Sequence, residues 1–136
     1  MRKLGVLLAI LALTVSCGRS RLEKLSDRAE AYNRSLRWSS LTAAGLFIDE
    51  RERRSLLERV SAEMARNKIV DYSIVDMSMD SEKKSGSILV EFSYYGVTDQ
   101  NLRYRQEVQN WTYNAAKREW FLSGMKTLSE GAPPTP

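Results

Sequence analysis

The hydrophobic period of this chain changes once, near Ile69, and that change restricts the fold more than any composition figure does. Before it, apolar residues recur at intervals of three and four: Leu22, Leu25, Ala29, Tyr32 and Leu36 form one stripe, Leu56, Leu57, Val60 and Met64 another. Such spacing predicts amphipathic helices, with Glu23, Lys24, Asp27, Arg28 and Glu30 on the solvent face of the first. The pattern falters over residues 37–40, where Ser39 or Ser40 can cap a short second helix carrying Leu41, Ala43, Ala44, Leu46 and Phe47. Asp49 reads as the N-cap of a third helix, with Glu50 and Glu52 in its first turn and an end near Asn67.

Beyond Ile69 the period is two. Val70, Tyr72 and Ile74 hold one parity and Val75, Met77 and Met79 the other, so a bulge is expected at Ile74 and Val75. A charged turn over 81–86 leads to Ile88, Val90, Phe92 and Tyr94, with Glu91 and Ser93 opposite. Next, Leu102, Tyr104, Gln106 and Val108 alternate with Arg103, Arg105, Glu107 and Gln109; the parity slips before Trp111 and Tyr113, which predicts a second bulge and a curved sheet. A tight connection at 114–117 precedes Trp120, Phe121 and Leu122 on the last strand. Helices first and then strands at hairpin spacing predict an α+β domain: two to three N-terminal helices packed on a curved antiparallel sheet of about four strands.

That order, with long bulged strands and aromatics near the end, resembles the nuclear transport factor 2-like cone fold. The segment Tyr32-Asn33-Arg34-Ser35-Leu36-Arg37-Trp38, followed by Phe47-Ile48-Asp49, is also similar to small uncharacterised proteobacterial lipoproteins. A cystatin-like domain, one helix wrapped by a sheet, is the near alternative and has fewer helices. In ketosteroid isomerase-like and dehydratase-like enzymes of the cone fold, an apolar pocket holds an Asp base or an Asp-His pair with a Tyr donor. By residue type the resemblance points to Asp71 or Asp76 with Tyr94 or Tyr104, although Asp76 alternates with Val75 and Met77 and so belongs to the polar face. Phe92, Tyr94, Tyr104 and Trp111 are the candidate pocket residues.

The N-terminus has its own logic. Arg2 and Lys3 precede an apolar run from Leu4 to Leu13, and the small residue Ser16 stands before Cys17, the layout of a secretory signal. A run of about ten residues is too short to cross a hydrocarbon core of roughly 30 Å. Leu13-Thr14-Val15-Ser16-Cys17 resembles the lipobox of bacterial lipoproteins, which implies cleavage before Cys17 and acylation of that cysteine. Two or three acyl chains hold a protein on a membrane stably where one does not. Gly18 after the cysteine resembles the default for export to the outer membrane, facing the periplasm. The expected plan is a lipoprotein signal peptide at 1–16, a lipidated cysteine and tether at 17–21, an α+β domain at 22–128 and a disordered tail at 129–136.

Composition removes several classes of function. The chain has no histidine and no cysteine besides Cys17, so intrachain disulfides and the usual zinc ligands are excluded. Of the formal charge of +4, Arg2 and Lys3 supply two units, and acids are interleaved with the remaining bases, which gives no concentrated basic face for nucleic acid. No phosphate-binding loop, dinucleotide turn, nucleophile elbow or metal-ligand cluster occurs. The expectation is a lipid-anchored envelope lipoprotein, non-enzymatic, needing no cofactor or metal and binding a protein partner or an apolar small molecule. A small isomerase or dehydratase-like enzyme using an Asp/Tyr pair is the alternative, and a structural spacer with a filled cone is a third.

Overall fold

The computed structural model describes residues 20–131; Cys17, the segment before it and residues 132–136 lie outside the described residues. Three helices, α1 (Arg21–Arg37), α2 (Leu41–Gly45) and α3 (Arg53–Arg66), precede four strands: β1 (Asn67–Met79), β2 (Ser85–Gly96), β3 (Leu102–Asn114) and β4 (Glu119–Gly131). The strands form one antiparallel sheet in sequence order, a meander of three hairpins. With three helices laid against the concave side, the architecture is the α+β cone and not the one-helix arrangement. No helix among the described residues is long and apolar enough to cross a membrane.

Helix boundaries follow from capping. Ser20 accepts the Glu23 N–H at its hydroxyl and starts α1. At the other end, Ser39 turns left-handed (φ 56°) while its N–H reaches the Leu36 carbonyl and the Ser40 N–H reaches that of Ser35. This paired closure stops the helix and frees Ser40 to cap α2 through Ala43 N–H. Asp49 does not cap α3 as its neighbours suggested. Its carboxylate takes the N–H of Arg51 and its carbonyl that of Glu52, so the side chain closes a turn and the helix starts later, with no side-chain cap. The turn is fixed because Phe47 and Asp49 bond the backbone of Leu122, stitching the helical layer to β4.

Every register shift lies on an edge strand. On β1 the extra residues are Val70 and Val75; the second is the bulge expected from the parity change, and between them they turn Ile69, Tyr72, Ile74, Met77 and Met79 toward the helices. On β4 the extra residues are Ser123 and Leu128. β3 carries no bulge against β2, so the slip expected before Trp111 is absent. Trp111 continues the parity of Arg105, Glu107 and Gln109, and these three polar residues are buried. The sequence pattern therefore had this strand inside out: Tyr104 and Val108 face the convex side, and the polar row faces the concave one. Ser129, Glu130 and Gly131, which the expected plan gives to the tail, belong to β4 and pair with Gln106, Arg105 and Tyr104; the rest of that expected tail lies outside the described residues.

The core joins Leu25, Ala29 and Leu36 of α1 to Ile88, Val90 and Phe92 of β2 and to Trp111, Trp120 and Leu122. Trp120 also donates its ring N–H to the Arg21 carbonyl at 3.0 Å, which pins the start of α1 to the sheet. Leu25 is fully buried, and burying such a side chain contributes roughly 1.5–3 kcal/mol. Truncation adds a cavity term, so Leu25→Ala is expected to lower the unfolding free energy by about 2–5 kcal/mol, read by urea denaturation.

Candidate functional site

The open end of the cone holds a cavity of about 320 Å³. Its apolar walls come from Leu36 of α1, Val60 and Met64 of α3, Ile69 of β1 and Met125 of β4. Its polar groups are Tyr32, Glu63, Arg105 and Glu107, with Arg59, Arg66 and Glu130 also in the lining. A volume near the lower end of the usual range for small-molecule pockets, with few polar groups in an apolar wall, is the composition expected of a ligand site.

Arg105 and Glu107 of β3 line the floor, Gln109 continues their row outside the lining, and each member is held differently. Gln109 and Asn33 exchange hydrogen bonds: the Asn33 amide donates to Gln109 Oε1 at 3.1 Å and the Gln109 amide to Asn33 Oδ1 at 2.8 Å. Asn33 also donates to the Ala29 carbonyl, and Gln109 donates to Glu107 Oε2 at 3.1 Å. One α1 residue thus fixes Gln109 across the domain, and Gln109 in turn holds Glu107 on the same strand. Arg105, only 5% exposed, lies over the rings of Phe92 and Tyr94 at 5.2 and 5.1 Å and pairs with Glu63 of α3. Arg66 and Asn67 also contact Glu63, so the deep guanidinium and its carboxylate are mutually neutralised.

Three groups of the lining can still meet a guest: Glu107, the Tyr32 hydroxyl, and the buried Nε–H of Arg105, which has no hydrogen-bond partner. Burial pushes the Glu107 carboxyl above the usual carboxylate range, against the hydrogen bond from Gln109 and the charge of Arg105, which favour ionisation. Tyr32 lines the cavity fully buried, and its hydroxyl has no hydrogen-bond partner. Burial and the nearby Glu107 hold that phenol far above its ordinary range, so it stays a neutral donor. Edge-on contacts with Phe47 and Trp111 fix the ring. For Arg105, burial alone would lower the guanidinium's proton affinity; the hydrogen bond and charge of Glu63 outweigh it and leave Arg105 more firmly protonated than a free side chain.

The residues singled out from sequence fall in several places. Phe92 and Tyr94 are buried beneath Arg105 and support the floor without lining the cavity. Trp111 is buried against Tyr32. Tyr104 lines a separate shallow depression with Glu91 and Gln106. Asp71 and Asp76 are exposed, and each carboxylate accepts the N–H of the following residue, so neither is placed to act in the cavity. The groups that were missed are Tyr32, Asn33, Glu63, Arg105, Glu107 and Gln109. The three on β3 had one signal, the parity that Arg105, Glu107 and Gln109 share with Trp111; the three on helices had none.

Two outcomes are expected from this geometry. Because the native carboxyl of Glu107 is raised above its unfolded value of about 4.3, its contribution to stability is complete below that pH and is lost as pH rises through the native value. Glu107→Gln removes that slope, and thermal unfolding at a series of pH values should show the variant gaining on the parent as pH rises. Tyr32→Phe deletes a buried hydroxyl without a partner, and should leave the empty protein more stable by roughly 1 kcal/mol in urea.

No protein-family model matches the chain, and no curated protein matches it. Solved structures do. A ketosteroid isomerase-like protein from Erwinia carotovora atroseptica superposes with a TM-score of 0.70 at 12% identity, over 85% of this chain and 100% of the other. A SEC-C motif containing protein from Rhodopseudomonas palustris gives 0.64 at 10% identity, over 82% and 83% of the two chains. A polyketide cyclase candidate from Xanthomonas campestris gives 0.59 at 8% identity, over 79% and 91%. At these identities the likeness is one of fold, and it shows that this chain has the α+β cone architecture of ketosteroid isomerase-like proteins.

Proposed function

We propose that the chain is a lipid-anchored envelope protein, acylated at Cys17, whose cone cavity binds a small neutral molecule with an apolar body and one polar end. The carrying observation is the cavity in which a buried Tyr32 hydroxyl without a partner and the raised carboxyl of Glu107 share apolar walls. The pairing of Arg105 with Glu63 supports a neutral guest: the pair balances its own charge, the one unmet group on it is the Arg105 Nε–H, and a charged guest would have to break the pair or remain without a counter-charge. A hydroxyl or carbonyl oxygen meets Tyr32 and Glu107 at no such cost. The anchor is supported by the lipobox-like segment and the placement of the chain's lone cysteine within it.

Catalysis is the second reading, favoured by Glu107 itself. A carboxyl raised by burial carries its proton into the range where an ordinary glutamate is ionised, so it can donate to a guest oxygen and take the proton back. Several proteins of this fold are described as isomerase-like or as a cyclase candidate, which supports the same reading. With Asp71 and Asp76 out of reach, Glu107 and Tyr32 are the pair to bet on.

The test is native mass spectrometry of the chain purified gently from its own membranes. A bound neutral species of a few hundred daltons is expected, held about tenfold more weakly by Glu107→Gln or Tyr32→Phe, since one lost hydrogen bond is worth roughly 1.4 kcal/mol or less. A chain recovered with no guest, and unchanged in thermal stability by a panel of neutral amphiphiles, overturns the binding role. Chemical turnover of the recovered guest by the parent but not by Glu107→Gln would favour the enzyme.

A further inference from the structure

We propose that the turn after α1, centred on Trp38, is a second membrane contact, docking on an anionic phospholipid surface. This rests on the acyl anchor at Cys17. Trp38 is 69% exposed, in contrast to Trp111 and Trp120, which are 1% and 0% exposed. A large ring held in water costs free energy that an interfacial position recovers, and tryptophan favours the headgroup level for its apolar body and polar N–H.

The ring is presented rather than loose. The paired hydrogen bonds of Ser39 and Ser40 close the helix directly behind it, and the left-handed Ser39 turns the chain away. Around it the charge is basic. The Arg37 guanidinium lies 5.1 Å over the indole, Arg34 is one helical turn back, and Lys68 donates to the Arg37 carbonyl and the Ser39 hydroxyl. Each basic residue near an anionic surface contributes about 1 kcal/mol, enough together to select an orientation once an anchor holds the chain nearby.

The placement agrees with the anchor. α1 has 17 residues and so is about 25 Å long, with its start pinned to Trp120 and the Trp38 turn at its far end. Two residues, Gly18 and Arg19, stand between Cys17 and Ser20, and the three steps span at most ~11 Å, so the anchored end stays close to the bilayer. Glu23 in the first turn is flanked by Arg21 and Lys24, so an α1 laid along an anionic surface meets it with basic residues at both ends. Trp38 follows two residues after Leu36, which lines the cavity. Docking at Trp38 would bring the cavity's α1 wall down toward the lipid, suiting a guest that partitions into membranes.

The native distribution of tryptophans supplies the test. The acylated full chain is reconstituted in vesicles of phosphatidylcholine with phosphatidylglycerol, or of phosphatidylcholine alone, with bromine on the shallow acyl carbons as quencher. With phosphatidylglycerol, emission should shift to the blue and fall by about a third, one tryptophan's share of three. The loss should vanish in Trp38→Phe and shrink in the Arg37→Gln, Lys68→Gln double variant. A chain that sediments acylated with its Trp38 emission unshifted and unquenched in both vesicles overturns the contact and leaves the anchor standing. A chain with no acyl mass that stays in the supernatant overturns both. A blue shift that grows with protein concentration in detergent, without vesicles, would assign Trp38 to contact between copies and overturn the membrane reading.

Discussion

The reciprocal amide pair between Asn33 and Gln109 is the interaction on which the interior of this domain depends. Burying the polar face of a central strand is costly unless every group finds a partner. Here one helix residue supplies both halves of the exchange, and Gln109 then has an amide hydrogen left to hold Glu107. Arg105 is served from the opposite side, by Glu63 on α3 and by two aromatic rings beneath it. The helical layer is therefore more than a lid on an apolar sheet: its polar residues decide what the concave surface can display.

How much of this was legible in the sequence depended on which face a residue served. α1 and α3 could be read because their buried stripes are aliphatic and the period is unambiguous. The parity change at Val75 gave away the bulge, because an extra residue must reverse inside and outside. β3 misled for a physical reason. Alternation identifies two faces but assigns the apolar one to the interior, and a cone with a polar floor reverses that assignment. Nothing in residues 102–109 alone signals the reversal; it becomes readable only if the strand is assumed to run unbroken into Trp111. Asp49 misled differently, since a good capping residue was already committed to a turn bound to Leu122.

The site was missed for the same reason that the fold was found. Fold recognition from pattern relies on the residues that obey burial rules, and a site is made of those that break them. Asp71 and Asp76 have the right chemistry on the wrong face, whereas Glu107 was hidden by its glutamine and arginine neighbours, which made it look like part of a solvated row. Structural neighbours at 7–12% identity share the scaffold and leave this floor to be argued from its own contacts.

The four bulged positions have a consequence for how such chains behave when crowded. Val70 and Val75 lie on one outer strand, Ser123 and Leu128 on the other, so both margins of the sheet are interrupted twice. An uninterrupted margin is a template that a second copy can extend, strand on strand. Each extra residue breaks the even spacing of N–H and carbonyl groups that such growth requires. The devices that curve the sheet around its cavity thus also make its borders poor seeds for aggregation.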